Sequence, residues 1–331
     1  MIGAVNTYRG SLVECSHNVH IAVVDSNNKL LKYYSNPEKI IYARSSVKPI
    51  QVIQVLESGA CEKYNISDKE IALMCSSHSS EDYHVEGINS ILKKSNLSED
   101  NLKCGTKVPF NLDVYKNLIR SGKDITKKHH SCSGKHCGML ISAKANKENL
   151  DDYLELKHPV QQRILNNMSK ICGCDKKDIL IGIDGCGAPT HALKLKNLAY
   201  GFAQMANPTN IYVKSEYINR ITKAMISYPE MVGGSDRFCT ELMKACKGRI
   251  FGKMGSEGVY LLGDKKNGIG IAVKTEDGSD ISTNCAVVET LDQLGLISKE
   301  EKEKLSKFHN PKLKNARGKI IGETKSEFKL R

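Results

Sequence analysis

Apolar and polar positions divide the chain into three stretches. Over residues 11–44 short apolar runs alternate with turn signals. Residues 11–15 and 20–24 predict strands, Asp25-Ser26-Asn27-Asn28 a turn, residues 30–34 a returning strand and residues 39–42 a further short one. The pattern is that of an antiparallel meander. Ile50, Val52, Ile53, Val55 and Leu56 then recur at helical spacing, and the run stops near Gly59. From there to about Ala245 the periodicity is mostly helical. Ser67 and Glu70 have the spacing of a capping box before Ala72-Leu73-Met74-Cys75. Residues 87–94, 159–171 and 217–228 read as amphipathic helices. The apolar run 178–184, bounded by Gly185-Cys186-Gly187, reads as a short buried strand ending in a turn. From Arg249 the β pattern resumes: residues 258–262 and 269–274 flank a turn at 263–268 and predict a hairpin, and residues 286–294 predict a helix.

Strands at both ends with helices between predict a single domain over residues 1–331, of mixed α/β (α+β) class. Its antiparallel sheet is expected from about 1–45 and 249–331, with a mainly helical insertion over about 46–248.

Composition narrows the function. Hydrophobic content of 40% and charged content of 26% are ordinary for a soluble globular protein, and no apolar run is long enough for a membrane helix. Residues 1–6 lack a basic region followed by an apolar core, so no leader is expected and the chain reads as cytoplasmic. The net charge of +12 raises nucleic-acid binding, but the lysines are spread out and interleaved with acids. Even the dense stretch 299–319 carries Glu300, Glu301 and Glu303, so a solvated lysine-rich surface is the better reading. Twelve cysteines in such a chain argue against a disulfide framework. Cys172-Gly173-Cys174 is too tightly spaced for a zinc ribbon and reads as structural.

Four segments look chemical. Ser45-Ser46-Val47-Lys48-Pro49 holds an S-x-x-K pair; on one helical turn the lysine amine, if neutral, could take the serine proton. A capping serine beside a solvated lysine fits the same letters. Ser76-Ser77-His78 interrupts an apolar helix. The stretch from His129 to Gly138 is dense in Cys, His, Lys and Gly, yet Cys132 and Cys137 miss the usual zinc spacing. Lys253-Met254-Gly255-Ser256-Glu257-Gly258 is a glycine-rich turn entering a strand. An S-x-x-K pair, a serine loop and a K-x-G strand occur in that order in penicillin-binding proteins and class A β-lactamases. The shared logic is acyl transfer, in which serines and lysines supply nucleophile, base and positive charge.

With Ser131-Cys132-Ser133-Gly134-Lys135-His136 and Asp184-Gly185-Cys186-Gly187-Ala188-Pro189 added to these segments, the chain resembles the asparaginase II family, the rhizobial-type or class 3 L-asparaginases, over almost its whole length. The resemblance implies hydrolysis of L-asparagine to L-aspartate and ammonia, a fold similar to serine β-lactamases and glutaminases, and a homodimer. It implies two Ser–Lys tandems, Ser45 with Lys48 and Ser77 with Lys253. It implies a modulating zinc on Cys132, Lys135 and Cys186, and substrate contacts from Asp184, Arg44, His136 and Cys239. A lysine ligand is unusual, because the amine must lose a proton from a reference pKa of about 10.4. Cys137 is either an added ligand or a bystander, and either Ser45 or Ser77 could be the nucleophile. A glutaminase or another β-lactamase-like amide hydrolase is the nearest alternative. A zinc-binding, non-catalytic or redox-responsive protein built on Cys132, Cys186 and Cys239 is the alternative of another class.

Overall fold

The computed structural model describes residues 3–209 and 212–331; Met1 and Ile2, which open the segment read for a leader, lie outside it. The described chain forms two compact units. The first takes the residues up to Ser46, Leu193–Thr209 and Glu241–Arg331; the second takes Val47–Ala192 and the stretch ending at Thr240.

Both termini supply antiparallel strands to the first unit, as the pattern predicts, but they build two sheets. The five-stranded sheet has the order Leu30–Tyr34, Val19–Asp25, Ile269–Thr275, Val259–Asp264, Ile250–Gly255. In it Ala22 lies opposite Ala272, and Ala272 opposite Leu261. Val19 to Val24 are buried at every position, the signature of a strand covered on both faces rather than one. The helices Leu195–Ala206 and Asp280–Gln293 pack on this sheet. The first lies so close that a Cβ on Gly270 would sit 1.9 Å from the Ala199 carbonyl oxygen, so only glycine fits there.

The second sheet has the order Lys312–Lys314, Ile320–Ser326, Val5–Arg9, Leu12–His17. The expected meander is therefore broken. Leu12–His17 pairs with Val5–Arg9, and the chain passes through Asn18 into the other sheet. Strand Leu12–His17 has no buried residue, so no apolar face held it against Val19–Asp25.

The second unit is helical around Lys48–Glu57, which is buried from Lys48 through Leu56. It packs against Ser133–Ala145, Pro159–Cys172 and Ser215–Ser227. Pro49 falls in its first turn, where the missing N–H is not needed. Asp68–Met74 begins with the expected capping box, Ser67 and Glu70 each bonding the other's backbone N–H. The short strand Leu180–Ile183 runs opposite residues 189–192, with Ile183 facing Pro189 across the 184–188 turn, but it is not the buried strand expected: Leu180 and Ile183 are exposed. No helix among the described residues is long and apolar enough to cross a membrane.

Candidate active site

The site in the second unit centres on the Lys48 amine. Lys48 is the first residue of its helix and fully buried, so its four-carbon stem runs through the core to an interior amine. That amine donates to the Ser76 carbonyl oxygen, to the Ser77 hydroxyl at 3.2 Å and to the Cys132 sulfur at 3.2 Å. A buried ammonium needs such partners, because each one left out would cost about 1–3 kcal/mol.

Two segments deliver those partners. Ser76 and Ser77 follow the helix Asp68–Met74, and the Ser77 N–H donates to the Val232 carbonyl at 3.0 Å. Cys132 caps the helix Ser133–Ala145, and its N–H donates to His130 Nδ1 at 3.0 Å. The two segments meet because Gly134 carries no Cβ: one built there would lie 2.2 Å from the Leu73 carbonyl oxygen.

Around Cys132 the sulfur chemistry is polarised. A hydrogen bond from Cys186 holds the Cys132 thiol well below its ordinary pKa against burial, aided by the Lys48 charge, His130 and Lys135. The Cys186 thiol, which supplies that hydrogen bond, is pushed up by it and by burial. Lys135 donates to Cys186 Sγ at 3.3 Å. Burial alone would lower Lys135, but Cys186, Cys132 and Asp184 together raise it above its ordinary value. Asp184 is half-buried in the 184–188 turn, where its carboxylate accepts from the Gly185 N–H at 2.8 Å.

Cys132, Lys135 and Cys186 thus converge as two thiols and an amine; the thiols are ordinary zinc donors and the amine is not. Among the described residues no group of three or more Cys, His, Asp or Glu could hold a metal, so the set reaches three donors only through Lys135. Cys137 is fully buried on the same helix, with its thiol pushed up by burial.

The other expected residues are placed as follows. His136 is fully buried; its Nδ1 lies 2.7 Å from the Tyr153 hydroxyl, which accepts from the Lys103 N–H. Its Nε2 meets no partner among the described residues. Cys239 is buried at the start of Phe238–Ala245, its Cβ 3.6 Å from where a Gly233 Cβ would be. Arg44, Ser45 and Lys253 belong to the first unit. Arg44 has a left-handed backbone (φ 52°) and opens a 3₁₀ turn that contains Ser45; its guanidinium lies 3.8 Å from Glu257. Lys253 is buried in Ile250–Gly255, and its amine donates to the Met254 carbonyl at 2.6 Å. Each expected tandem, Ser45 with Lys48 and Ser77 with Lys253, therefore draws one member from each unit. Within the second unit the serine that Lys48 reaches is Ser77.

His78, His130 and Ser133 stand within the segments that look chemical in the sequence, which assigns none of the three a role. The signal available was their placement: each lies within two residues of Ser77 or Cys132 in a polar break between apolar helices.

A family model described as L-asparaginase II matches residues 5–326. No curated protein matches the chain. Among solved structures, the native form of Mglu is similar at 11% identity, over 84% of this chain and 64% of that one, with a TM-score of 0.49. The chain thus spans less than two-thirds of that protein's length. A β-lactamase from Mycobacterium bovis is similar at 12% identity, over 82% of this chain and 93% of that one, with a TM-score of 0.42. The octameric penicillin-binding protein homologue from Pyrococcus abyssi is similar at 16% identity, over 84% of this chain and 73% of that one, with a TM-score of 0.45.

Proposed function

The chain belongs to the L-asparaginase II family, and on that premise we propose that it hydrolyses the side-chain amide of L-asparagine to L-aspartate and ammonia by a serine–lysine mechanism. The observation that carries the proposal is the buried Lys48 amine 3.2 Å from the Ser77 hydroxyl. In its neutral form that amine takes the serine proton as Ser77 Oγ bonds to the amide carbon. The proton then passes to the leaving nitrogen, the C–N bond breaks and ammonia departs. Water attacks the resulting ester by the same relay in reverse and releases aspartate. Ser45 and Lys253 stay in the mechanism by resemblance to the family pattern, as the second serine and second lysine. Asp184, Arg44, His136 and Cys239 stay as substrate-positioning residues on the same ground.

The thiols of the set Cys132, Lys135 and Cys186 suit zinc. With two thiolates cancelling its charge, zinc would supply a fixed positive centre that orients Asp184, not an acidified water. As a ligand Lys135 would exchange its proton for the metal. The same family pattern carries over a cytoplasmic homodimer.

The test is ammonia release by purified protein from L-asparagine, L-glutamine and a chromogenic β-lactam, with and without a chelator. Turnover of L-asparagine above the other two supports the proposal; preference for glutamine or the lactam replaces it with the corresponding hydrolase.

A further inference from the structure

We propose that His78 is the positioning residue that holds Ser77 against Lys48, acting through a hydrogen bond from its Nε2 to Ser133; the inference rests on the serine–lysine reading above. His78 is fully buried. Its Nδ1 accepts the Ser80 N–H at 3.1 Å, and its Nε2 lies 2.8 Å from Ser133 Oγ. The Ser133 hydroxyl has one proton and spends it on the Lys128 carbonyl at 3.1 Å. Toward His78 it can only accept, so the imidazole carries its proton on Nε2 and none on Nδ1. Both ring nitrogens are then satisfied in the neutral form, and the ring is further fixed by stacking on His84, centroids 5.1 Å apart.

The consequence is a closed loop of contacts. Lys48 links the Ser77 hydroxyl to the Cys132 sulfur, at 3.2 Å each. Those two atoms sit on separate segments, residues 76–80 and 131–133. The segments are also joined by the His78 N–H to the Ser131 carbonyl, at 3.3 Å and thus weak, and by the His78–Ser133 bond. Of the two ties that His78 makes, the side chain's is the stronger. Ser80, two residues beyond His78, holds a left-handed backbone (φ 63°), and its N–H bond to His78 Nδ1 supports that turn. Its hydroxyl tethers that far end by donating to the His129 carbonyl at 2.6 Å. If the Nε2–Ser133 bond is cut, the Ser80 end stays tethered, but the stretch that carries Ser77 loses its nearest strong tie to residues 131–133, and Lys48 can no longer meet both Ser77 and Cys132.

The two nitrogens can be separated by substitution. His78→Asn retains an acceptor near the Nδ1 position and loses the donor; His78→Gln retains a donor near Nε2 and loses the acceptor. The expected result is that His78→Asn and Ser133→Ala each lower kcat about 10- to 100-fold, the scale of one buried hydrogen bond, with KM changed less than threefold. His78→Gln recovers most of kcat, and the His78→Asn/Ser133→Ala pair is no worse than either single change. Far-UV circular dichroism and melting temperature separate these effects from misfolding. The labelling rate of Ser77 by a fluorophosphonate, read by mass spectrometry, should fall in parallel, and this arm needs no L-asparagine. A protein that labels at Ser77 but does not turn over L-asparagine would sink the proposed substrate while still reporting on His78. Near-normal kcat and Ser77 labelling in His78→Asn, or equal losses in His78→Asn and His78→Gln, would overturn the inference. So would a parent protein whose Ser77 does not label.

Discussion

Replacing Gly134 by alanine puts opposing terms in direct competition. Gly134 is the second residue of the helix Ser133–Ala145. Helix propensity alone favours alanine over glycine by up to about 1 kcal/mol, and less in a first turn. The tertiary contact opposes it. The new Cβ would lie 2.2 Å from the Leu73 carbonyl oxygen and 2.9 Å from the carbonyl carbon, both backbone atoms that cannot rotate aside. Real Cβ contacts essentially never fall below 3.0 Å, so the helix must retreat by about 0.8 Å or more. Overpacking of this kind costs about 1–3 kcal/mol, so the net expectation is a loss of about 1–2 kcal/mol despite the better helix former.

The retreat also moves Cys132, which caps this helix and lies 3.2 Å from the Lys48 amine. A displacement near 1 Å carries that pair past hydrogen-bond range, and misplacement on this scale costs about 10²-fold in turnover. The assay is urea unfolding followed at 222 nm, alongside steady-state ammonia release. Gly138→Ala is the internal comparison: the same change in the same helix, but the atoms nearest its Cβ would be side-chain atoms of Met74 and Val55, the first of them at 3.3 Å. A Gly134→Ala midpoint at or above the parent's, with kcat unchanged, would refute the reasoning, because the helix propensity would then have won. If Gly138→Ala were as damaging as Gly134→Ala, the backbone contact would not be the cause.

Ser45→Ala, Lys48→Ala and Ser77→Ala should each lower turnover of L-asparagine by at least about 10²-fold, the scale of losing a nucleophile or base; near-normal turnover removes that residue from the mechanism. Chelation, and Cys132→Ala, should raise KM more than they lower kcat. Complete loss of kcat on chelation, restored only by zinc, would make the protein a metallohydrolase. His84 gives a pH dependence of stability. Burial lowers its pKa to about 4, the nearby Glu81 acting against this and Lys69 with it, while its Nε2 contacts the Glu230 carbonyl at 3.0 Å and its ring lies against His78 and Tyr83. Between its unfolded value near 6.5 and its folded value of about 4, the unfolded chain binds a proton that the folded chain does not. Stability contributed by neutral His84 is thus full above about pH 6.5 and declines as pH falls toward 4. Urea midpoints from pH 7 to pH 4 should drop less steeply in His84→Gln, and an unchanged slope would exclude His84 as a source.

What the sequence disclosed of the fold follows the range of the forces involved. The strands around Ala22, Tyr33, Leu261 and Ala272 were legible because local apolar runs and turn residues set them. The Ser67–Glu70 capping box was legible because both partners lie within one turn. The strand Val5–Arg9 was not, since it is only half-buried and its partner across one edge is Ile320–Ser326, at the far end of the chain. Nor did any local signal separate Leu12–His17 from Val19–Asp25, which are adjacent in sequence and belong to different sheets. The helix Ser133–Ala145 was read as chemistry, because two glycines and a cysteine mask its periodicity; its contacts with Asp68–Met74 and Lys48–Glu57 override that weak propensity.

The site divides along the same line. Motif order singled out Lys48 and Ser77, the family resemblance added Cys132, Lys135 and Cys186, and all five fall in one unit. The S-x-x-K spacing sets Ser45 and Lys48 about one turn apart, in a 3₁₀ turn as in an α-helix. Ser45 lies in a 3₁₀ turn, and Lys48 opens the α-helix that follows. The direction of the Lys48 stem is then set by what its buried amine can reach, and those acceptors arrive from segments about 30 and 84 residues further along. Spacing of three residues can specify which face of a helix a lysine occupies. It cannot specify that a carbonyl, a hydroxyl and a thiol from elsewhere will converge on its amine. That convergence depends on the Gly134–Leu73 approach and on the His78–Ser133 bond, neither of which any single stretch of sequence encodes.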